Sequence, residues 1–225
     1  MQRRQFSVLV ASTALLAARS AGAAELNDAD AASGIRVALE RGAVAAVGLL
    51  GRPDGFLGNP KVRIPLPGFL NDAAKLLRFT GQQQRVDDLV TAMNRAAESA
   101  VPEAKALLVA AVKSISVGDA RRIVGGGDDS VTRFFAEKTR APLVQRFLPI
   151  VKRHTERVDL AGRFNAVAGK AANLGLVKGD DANIERYVTR KALDGLYLMI
   201  GEEEKKIRSD PVGTGSAILA KVFGR

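Results

Sequence analysis

Apolar residues recur every three to four positions along most of the chain, and no segment keeps the strict alternation of a half-buried strand. The pattern predicts helices at about 28–50, 71–79, 83–100, 102–115, 116–124, 158–173, 182–208 and 218–222, with one or two more across 134–151. Ser116 and Asp119 have the spacing of a capping box, which marks a helix start. We therefore expect an all-α fold, a single helical-bundle domain of about eight to ten helices in residues 25–225.

Residues 51–68 interrupt the helical pattern. They hold four of the eight prolines and four glycines, and proline removes a backbone donor and clashes with the preceding helical turn. The segment also carries apolar side chains that would stay in water if it were disordered, namely Phe56, Leu57, Val62, Ile64 and Leu66. We expect a long irregular arm that packs on the helices, either as a lid over an apolar pocket or as a rigid structural strap.

Residues 1–24 have the pattern of a signal peptide. Arg3 and Arg4 precede an apolar run of about 12 residues, and a small-residue cleavage pattern follows at 21–23. The run is shorter than the roughly 20 residues that span a bilayer. The paired arginines resemble a twin-arginine signal, and an ordinary Sec signal is the alternative. We expect export to the periplasm and no transmembrane segment in the mature chain.

The composition removes several kinds of chemistry. The chain has no cysteine, which excludes disulfide frameworks, thiol nucleophiles and thiolate metal sites. It has a single histidine, His154, which leaves little for metal sites built from histidine. No group of carboxylates has a spacing that would bring its members to one point on a helix. We therefore predict no metal and no cofactor. The sequence pattern also identifies no catalytic residue. A hydrolase acting on cell-wall or lipid substrates through a Glu or Ser remains an alternative, and Glu98, which lies among alanines, is the carboxylate that most resembles such an acid.

Positive charge is concentrated in one part of the chain. The formal net charge is +10, and residues 121–170 hold 11 basic and five acidic residues. At about 100° per residue, Arg146, Lys152, Arg153 and Arg157 share roughly one side of a helix whose other side is apolar. Such a side could bind anionic lipid or another envelope polyanion, or it is an ordinary solvated face. Nucleic acid is not expected, because no aromatic residues lie among these cations for base stacking.

Four separated strings resemble a bacterial exported family known as domain of unknown function 4197. They are RPDGFL at 52–57, VRIPLPG at 62–68, MNRAAE at 93–98 and KALDGL at 191–196. The resemblance covers essentially the whole mature chain. It implies an α-helical envelope protein of Gram-negative bacteria, and it supplies no activity, cofactor or site residue.

Our leading interpretation is a non-enzymatic binding or scaffold protein for an anionic or apolar component of the cell envelope. A structural partner in a homo-oligomer is a further alternative, which an exposed apolar stripe on the 182–208 helix would indicate. The candidate ligand-binding residues come from the arm, from the 83–100 helix beside it and from the basic segment: Phe56, Arg63, Ile64, Asn94, Glu98, Arg146, Arg153 and Arg157.

Overall fold

The computed structural model describes residues 28–70, 74–75, 78–126, 130–157, 161–162, 164–165, 183–210 and 212–213. Within these ranges the regular structure is entirely helical, which confirms the all-α prediction. Six α-helices are described: α1 Asp28–Leu50, α2 Gln83–Ala100, α3 Ala104–Lys113, α4 Val117–Gly125, α5 Ser130–Thr155 and α6 Ile184–Ser209. Short 3-10 turns occupy Gly68–Leu70 and Val101–Glu103. The predicted count of eight to ten helices is not confirmed by this part of the chain.

Several predicted segments lie outside the described residues, including the signal peptide and the helix at 218–222. Short pieces of the two other predicted helices are described and are helical, at 74–75 and 78–79 and at 161–162 and 164–165. No helix of the described part is both long enough and apolar enough to cross a membrane.

The core lies between α1, α2, α5 and α6, and α6 packs along both α5 and α1. Helices α3 and α4 pack beside α1. One continuous apolar cluster joins these helices, and its largest side chains, among them Phe135, Phe147 and Tyr197, have almost no exposed surface. Burial of this kind of surface is the main term that holds a helical bundle together.

Helices α5 and α6 run antiparallel, as polar side chains in their interface show. The hydroxyl groups of Thr139 and Tyr197 lie 2.9 Å apart in the middle of the pair. Thr155, the last residue of α5, donates to Glu185 in the first turn of α6 at 3.2 Å. The end of α5 therefore meets the start of α6.

Helix α5 is continuous through two prolines, Pro142 and Pro149. Proline leaves the carbonyl group four residues before it without a helical donor. Both prolines lie on the exposed side of α5, where water can bind those carbonyl groups. One helix of 26 residues therefore forms where the sequence allowed either one helix or two.

Side chains cap the starts of α4 and α6, and the cap of α4 is the one that the sequence predicts. Asp119 N–H donates to the Ser116 hydroxyl at 3.1 Å, and Ser116 N–H donates to the Asp119 carboxylate at 3.0 Å, which confirms the predicted capping box. The Asn183 side chain caps α6 by accepting from Arg186 N–H at 2.9 Å.

Candidate functional site

The arm, residues 51–68, lies on α2, and a buried asparagine of α2 binds its backbone. Asn94 Oδ1 accepts from Ile64 N–H at 2.8 Å, and Asn94 Nδ2 donates to Ile64 C=O at 2.9 Å. The same Nδ2 donates to Val90 C=O at 2.8 Å, inside α2. The side chain of Asn94 therefore pairs with both backbone groups of one arm residue, much as a neighbouring β-strand would.

A buried carboxylate, Glu98, holds the other half of the arm. Its Oε1 accepts from Phe56 N–H at 3.0 Å and from Leu57 N–H at 3.1 Å. Its Oε2 accepts from Arg95 at 2.7 Å, and this hydrogen bond raises the pKa of Arg95. Arg95 also pairs with Asp54 at 2.9 Å. The carboxylate is therefore fully engaged in satisfying backbone N–H groups that the irregular arm cannot pair internally.

The apolar side of the arm packs on α6 without spare room. Phe56 and Ile64 are buried, and a Cβ atom added to Gly195 of α6 would lie 2.9 Å from Phe56 Cε1. The Tyr187 hydroxyl, in the first turn of α6, donates to Pro65 C=O at 3.0 Å. Since the arm is fixed on both of its sides, the structure favours the strap interpretation over the lid.

A shallow groove lies between α3 and α5, away from the arm. Its volume is about 560 Å³. The residues that line it are Pro102, Glu103, Lys105, Ala106, Val109, Ala110, Lys113 and Arg146. Lys105, Lys113 and Arg146 are exposed, and none of the three makes an ion pair with another described residue. The groove therefore combines an apolar floor with a rim that is mostly cationic.

Two further cations continue the charge along α5. Arg153 lies seven residues beyond Arg146, on the same side of the helix, and Arg157 follows just past the helix end. Both are exposed and without an ion-pair partner in the described chain. Burial and then the charges of Arg157 and Arg153 lower the pKa of His154. This end of α5 is therefore a region of positive potential.

Lys152, which we expected on the side of Arg146, lies elsewhere. It lines a separate depression of about 540 Å³ between the end of α5 and the start of α6 and pairs with Glu156 at 3.5 Å. Lys152 follows Arg146 by six residues, which places it about 120° away around the helix. The prediction that Lys152 shares a side of α5 with Arg146 and Arg153 was therefore wrong.

The family model described as "Protein of unknown function (DUF4197)" matches residues 25–224. The chain belongs to the DUF4197 family. This confirms the resemblance that the four strings indicated. No curated protein and no solved structure matches the chain significantly.

The four DUF4197 strings meet in one place, which is the junction between the arm, α2 and α6. The strings at 52–57 and 62–68 form the arm, the string at 93–98 supplies Asn94 and Glu98, and the string at 191–196 supplies Gly195. The strings that identify the family in this chain therefore belong to the contacts that hold the arm in place.

The structure divides the eight candidate ligand-binding residues into two groups. The first group, which is buried and engaged in the arm junction, is Phe56, Ile64, Asn94 and Glu98. The second group, which is exposed, is Arg63, Arg146, Arg153 and Arg157. We compared four surface depressions in the described part of this DUF4197 protein, including the groove. No arm residue lines any of these four. Ligand binding under the arm therefore gains no support.

Sequence reasoning missed two buried glutamates: Glu204, which forms an ion pair with Arg208 in α6, and Glu185, which lies at the start of that helix. Glu185 accepts from Asn165 Nδ2 at 3.0 Å as well as from Thr155, while Asn165 Oδ1 accepts from Ile184 N–H at 2.9 Å. Its position two residues after the cap residue Asn183 was the available signal, because acidic side chains favour the first helical turn. Across the described ranges, no group of three or more His, Asp or Glu side chains is placed to hold a metal ion.

Proposed function

We propose that this DUF4197 protein is a non-enzymatic binding protein of the cell envelope that takes an anionic lipid in the groove between α3 and α5. The observation that carries the proposal is the groove itself, whose lining combines apolar residues and one carboxylate, Glu103, with three cations that form no ion pair with another residue of the described chain. The signal-peptide pattern of residues 1–24 supports the periplasm as the place where it works.

The chemistry of the groove matches both parts of an anionic lipid. The guanidinium of Arg146 can donate two parallel hydrogen bonds to a phosphate, and the ammonium groups of Lys105 and Lys113 add charge at the rim. Ala106 and Val109 on the floor offer an apolar surface to the first part of an acyl chain. The groove is open, so we expect the rest of the lipid to stay outside it.

The buried glutamates Glu98 and Glu185 do not support the hydrolase alternative. A general acid must present a protonated carboxyl group to the substrate in a cleft. Glu98 and Glu185 instead accept hydrogen bonds from several donors of the protein, so their oxygens are engaged inside the fold and face no substrate cleft under the arm. Both are used to hold the arm and the start of α6 in place.

The homo-oligomer alternative gains no support from α6. The apolar residues of this helix are buried within its own bundle, and Leu198, at 44% exposure, is its one large apolar side chain counted as exposed in the described structure. A single exposed leucine is common on monomeric proteins and indicates no interface by itself.

The test uses a short-chain phosphatidylglycerol below its micelle concentration and isothermal titration calorimetry with the mature protein. We expect binding at low salt, and we expect the double variant Arg146→Glu with Lys113→Glu to bind at least tenfold more weakly, because a hydrogen bond to a charged group contributes about 1.5–3 kcal/mol. Short-chain phosphatidylcholine should bind much more weakly than phosphatidylglycerol.

The matched control is Arg63→Glu. Arg63 is also exposed and unpaired in the described chain, but it lies on the arm. If Arg63→Glu weakens binding as much as the groove variant does, the lipid site is not the groove. The proposal also fails if the wild-type protein binds no phosphatidylglycerol at low salt.

A further inference from the structure

One end of the bundle, which we call the tip, is formed by the starts of α2 and α6 and the end of α5. Glu98 of α2 binds the arm at Phe56. Asn94, which is nearer the start of α2, binds the arm further along, at Ile64. In the same direction along the arm, Val62 lies beside Gly195 of α6. The next contact, at Pro65, is with Tyr187, which is nearer the start of α6. Helices α2 and α6 therefore begin at the same end, where α5 finishes.

The tip carries the most exposed large apolar side chain of the described structure. Phe79, four residues before α2, is 91% exposed, compared with 71% for Val212 and 44% for Leu198. Full exposure of a phenylalanine ring to water is unfavourable by about 1.5–3 kcal/mol relative to burial. A single exposed apolar residue is not a site, so its surroundings decide what Phe79 does.

Those surroundings are rich in unpaired cations. Arg78 and Arg85 flank Phe79 in the chain, and both are exposed without an ion-pair partner in the described ranges. Arg153 and Arg157 lie at the end of α5 and therefore belong to the same tip. Three exposed acids are also near. Asp87 and Asp88 each accept a hydrogen bond from a glutamine four residues before them, and Glu156 pairs with Lys152.

We propose that the tip docks on an anionic membrane surface, with the Phe79 ring inserted among the lipid headgroups and the four arginines in contact with lipid phosphates. Interfacial segments of peripheral proteins combine Trp, Phe or Leu with Lys and Arg, and each basic residue near an anionic lipid surface contributes about 1 kcal/mol. Charge complementarity favours the lipid surface over an apolar protein partner. The tip adjoins the α3–α5 groove along one side of α5, where Arg153 follows Arg146, but the proposal does not depend on lipid binding in the groove.

The chain contains no tryptophan, so Phe79→Trp introduces a single fluorescent reporter at the tip. With phosphatidylglycerol vesicles we expect its emission to shift to shorter wavelength and to become protected from an aqueous quencher. Phosphatidylcholine vesicles and inorganic phosphate should leave it unchanged. Val212→Trp is the matched control, because Val212 lies beyond the far end of α6, a helix about 39 Å long. Its emission should not change with either vesicle.

Vesicle sedimentation then measures the contribution of the ring and of the charges. We expect Phe79→Ala to weaken binding to phosphatidylglycerol vesicles about tenfold or more. Arg78→Glu with Arg85→Glu should weaken it by a similar factor, and more at low salt than at high salt. Thr80→Ala, at an exposed neighbour of Phe79, should bind as the wild type does. Because these residues are exposed, unchanged thermal unfolding will show that the variants are folded.

Three results would overturn the proposal. The first is an unchanged Phe79→Trp spectrum when the protein is bound to vesicles, and the second is wild-type affinity for Phe79→Ala. The third is a spectral shift on raising the protein concentration alone, which would show that a second copy covers Phe79. A tip variant that loses vesicle binding but still binds short-chain phosphatidylglycerol would show that the tip acts separately from the groove, and if the groove binds no lipid the three results above still decide the tip proposal.

Discussion

Replacement of Glu98 by alanine tests whether the arm is a strap held by α2. The change leaves the Phe56 N–H buried without a partner and the Leu57 N–H partly buried, and it removes the carboxylate that pairs with Arg95. A hydrogen bond to a charged group contributes about 1.5–3 kcal/mol. We take the full value for Phe56 and about half for Leu57, which water can reach. Arg95, whose side chain is 38% exposed, adds little.

These contributions predict that Glu98→Ala lowers the free energy of unfolding by about 3 kcal/mol. For a chain of this size that corresponds to a Tm lower by about 6–12 °C. Glu98→Gln keeps an acceptor oxygen for both N–H groups, so we expect a loss of only about 1 kcal/mol. The control Glu103→Gln, at an exposed carboxylate outside the arm junction, should change stability by less than about 0.5 kcal/mol.

Urea unfolding measures these differences, and limited digestion with trypsin shows where the damage lies. Lys61 and Arg63 are exposed within the arm, so release of the arm should expose the bonds after them to cleavage before the helices are cut. The strap interpretation would be refuted if Glu98→Ala kept wild-type stability. It would also be refuted if digestion of that variant spared both arm bonds.

Two further changes test the packing and the capping. Gly195→Ala places a methyl group 2.9 Å from the fixed ring of Phe56, so we expect a loss of about 1–3 kcal/mol, whereas Gly48→Ala, in open space on α1, should gain up to about 1 kcal/mol in the same urea assay. Hydrogen bonds from Ser116 lower the pKa of Asp119 from 3.8 to about 2. The ionised carboxylate therefore stabilises the fold above about pH 4, and this contribution is lost as the pH falls toward 2. Urea unfolding should show Asp119→Ala about 1–2 kcal/mol less stable than wild type at pH 6, with the gap closing by pH 2; a gap independent of pH would contradict this.

The sequence predicted those parts of the fold that depend on near neighbours. The bounds of α1 follow from an apolar stripe that ends before Gly51 and Pro53, and the start of α4 follows from the capping box at Ser116. Both signals lie within a few residues of the structure they specify. The irregular course of residues 51–68 followed from proline and glycine in the same way.

The partners of side chains that act over long distances could not be predicted. Helical spacing places Asn94 and Glu98 on a face of α2, but it does not say that arm backbone groups 30 and 42 residues away complete their hydrogen bonds. The cationic rim of the groove was missed for the same reason. Arg146 was named from α5, whereas Lys105 and Lys113 come from α3, which only the packing of the two helices brings beside it.

The arm contacts that lie farthest apart in sequence impose an order on biogenesis. The bonds from the arm to α2 join residues 30 to 42 positions apart, whereas the bond from Pro65 to Tyr187 spans 122 positions. A nascent chain can therefore attach its arm to α2 long before α6 has been synthesised. Until α6 has been synthesised and has packed against the arm, the side of Phe56 and Val62 that contacts Gly195 stays exposed. An intermediate with such exposed apolar surface is prone to aggregate. A truncation before residue 183 should leave the chain permanently in that state.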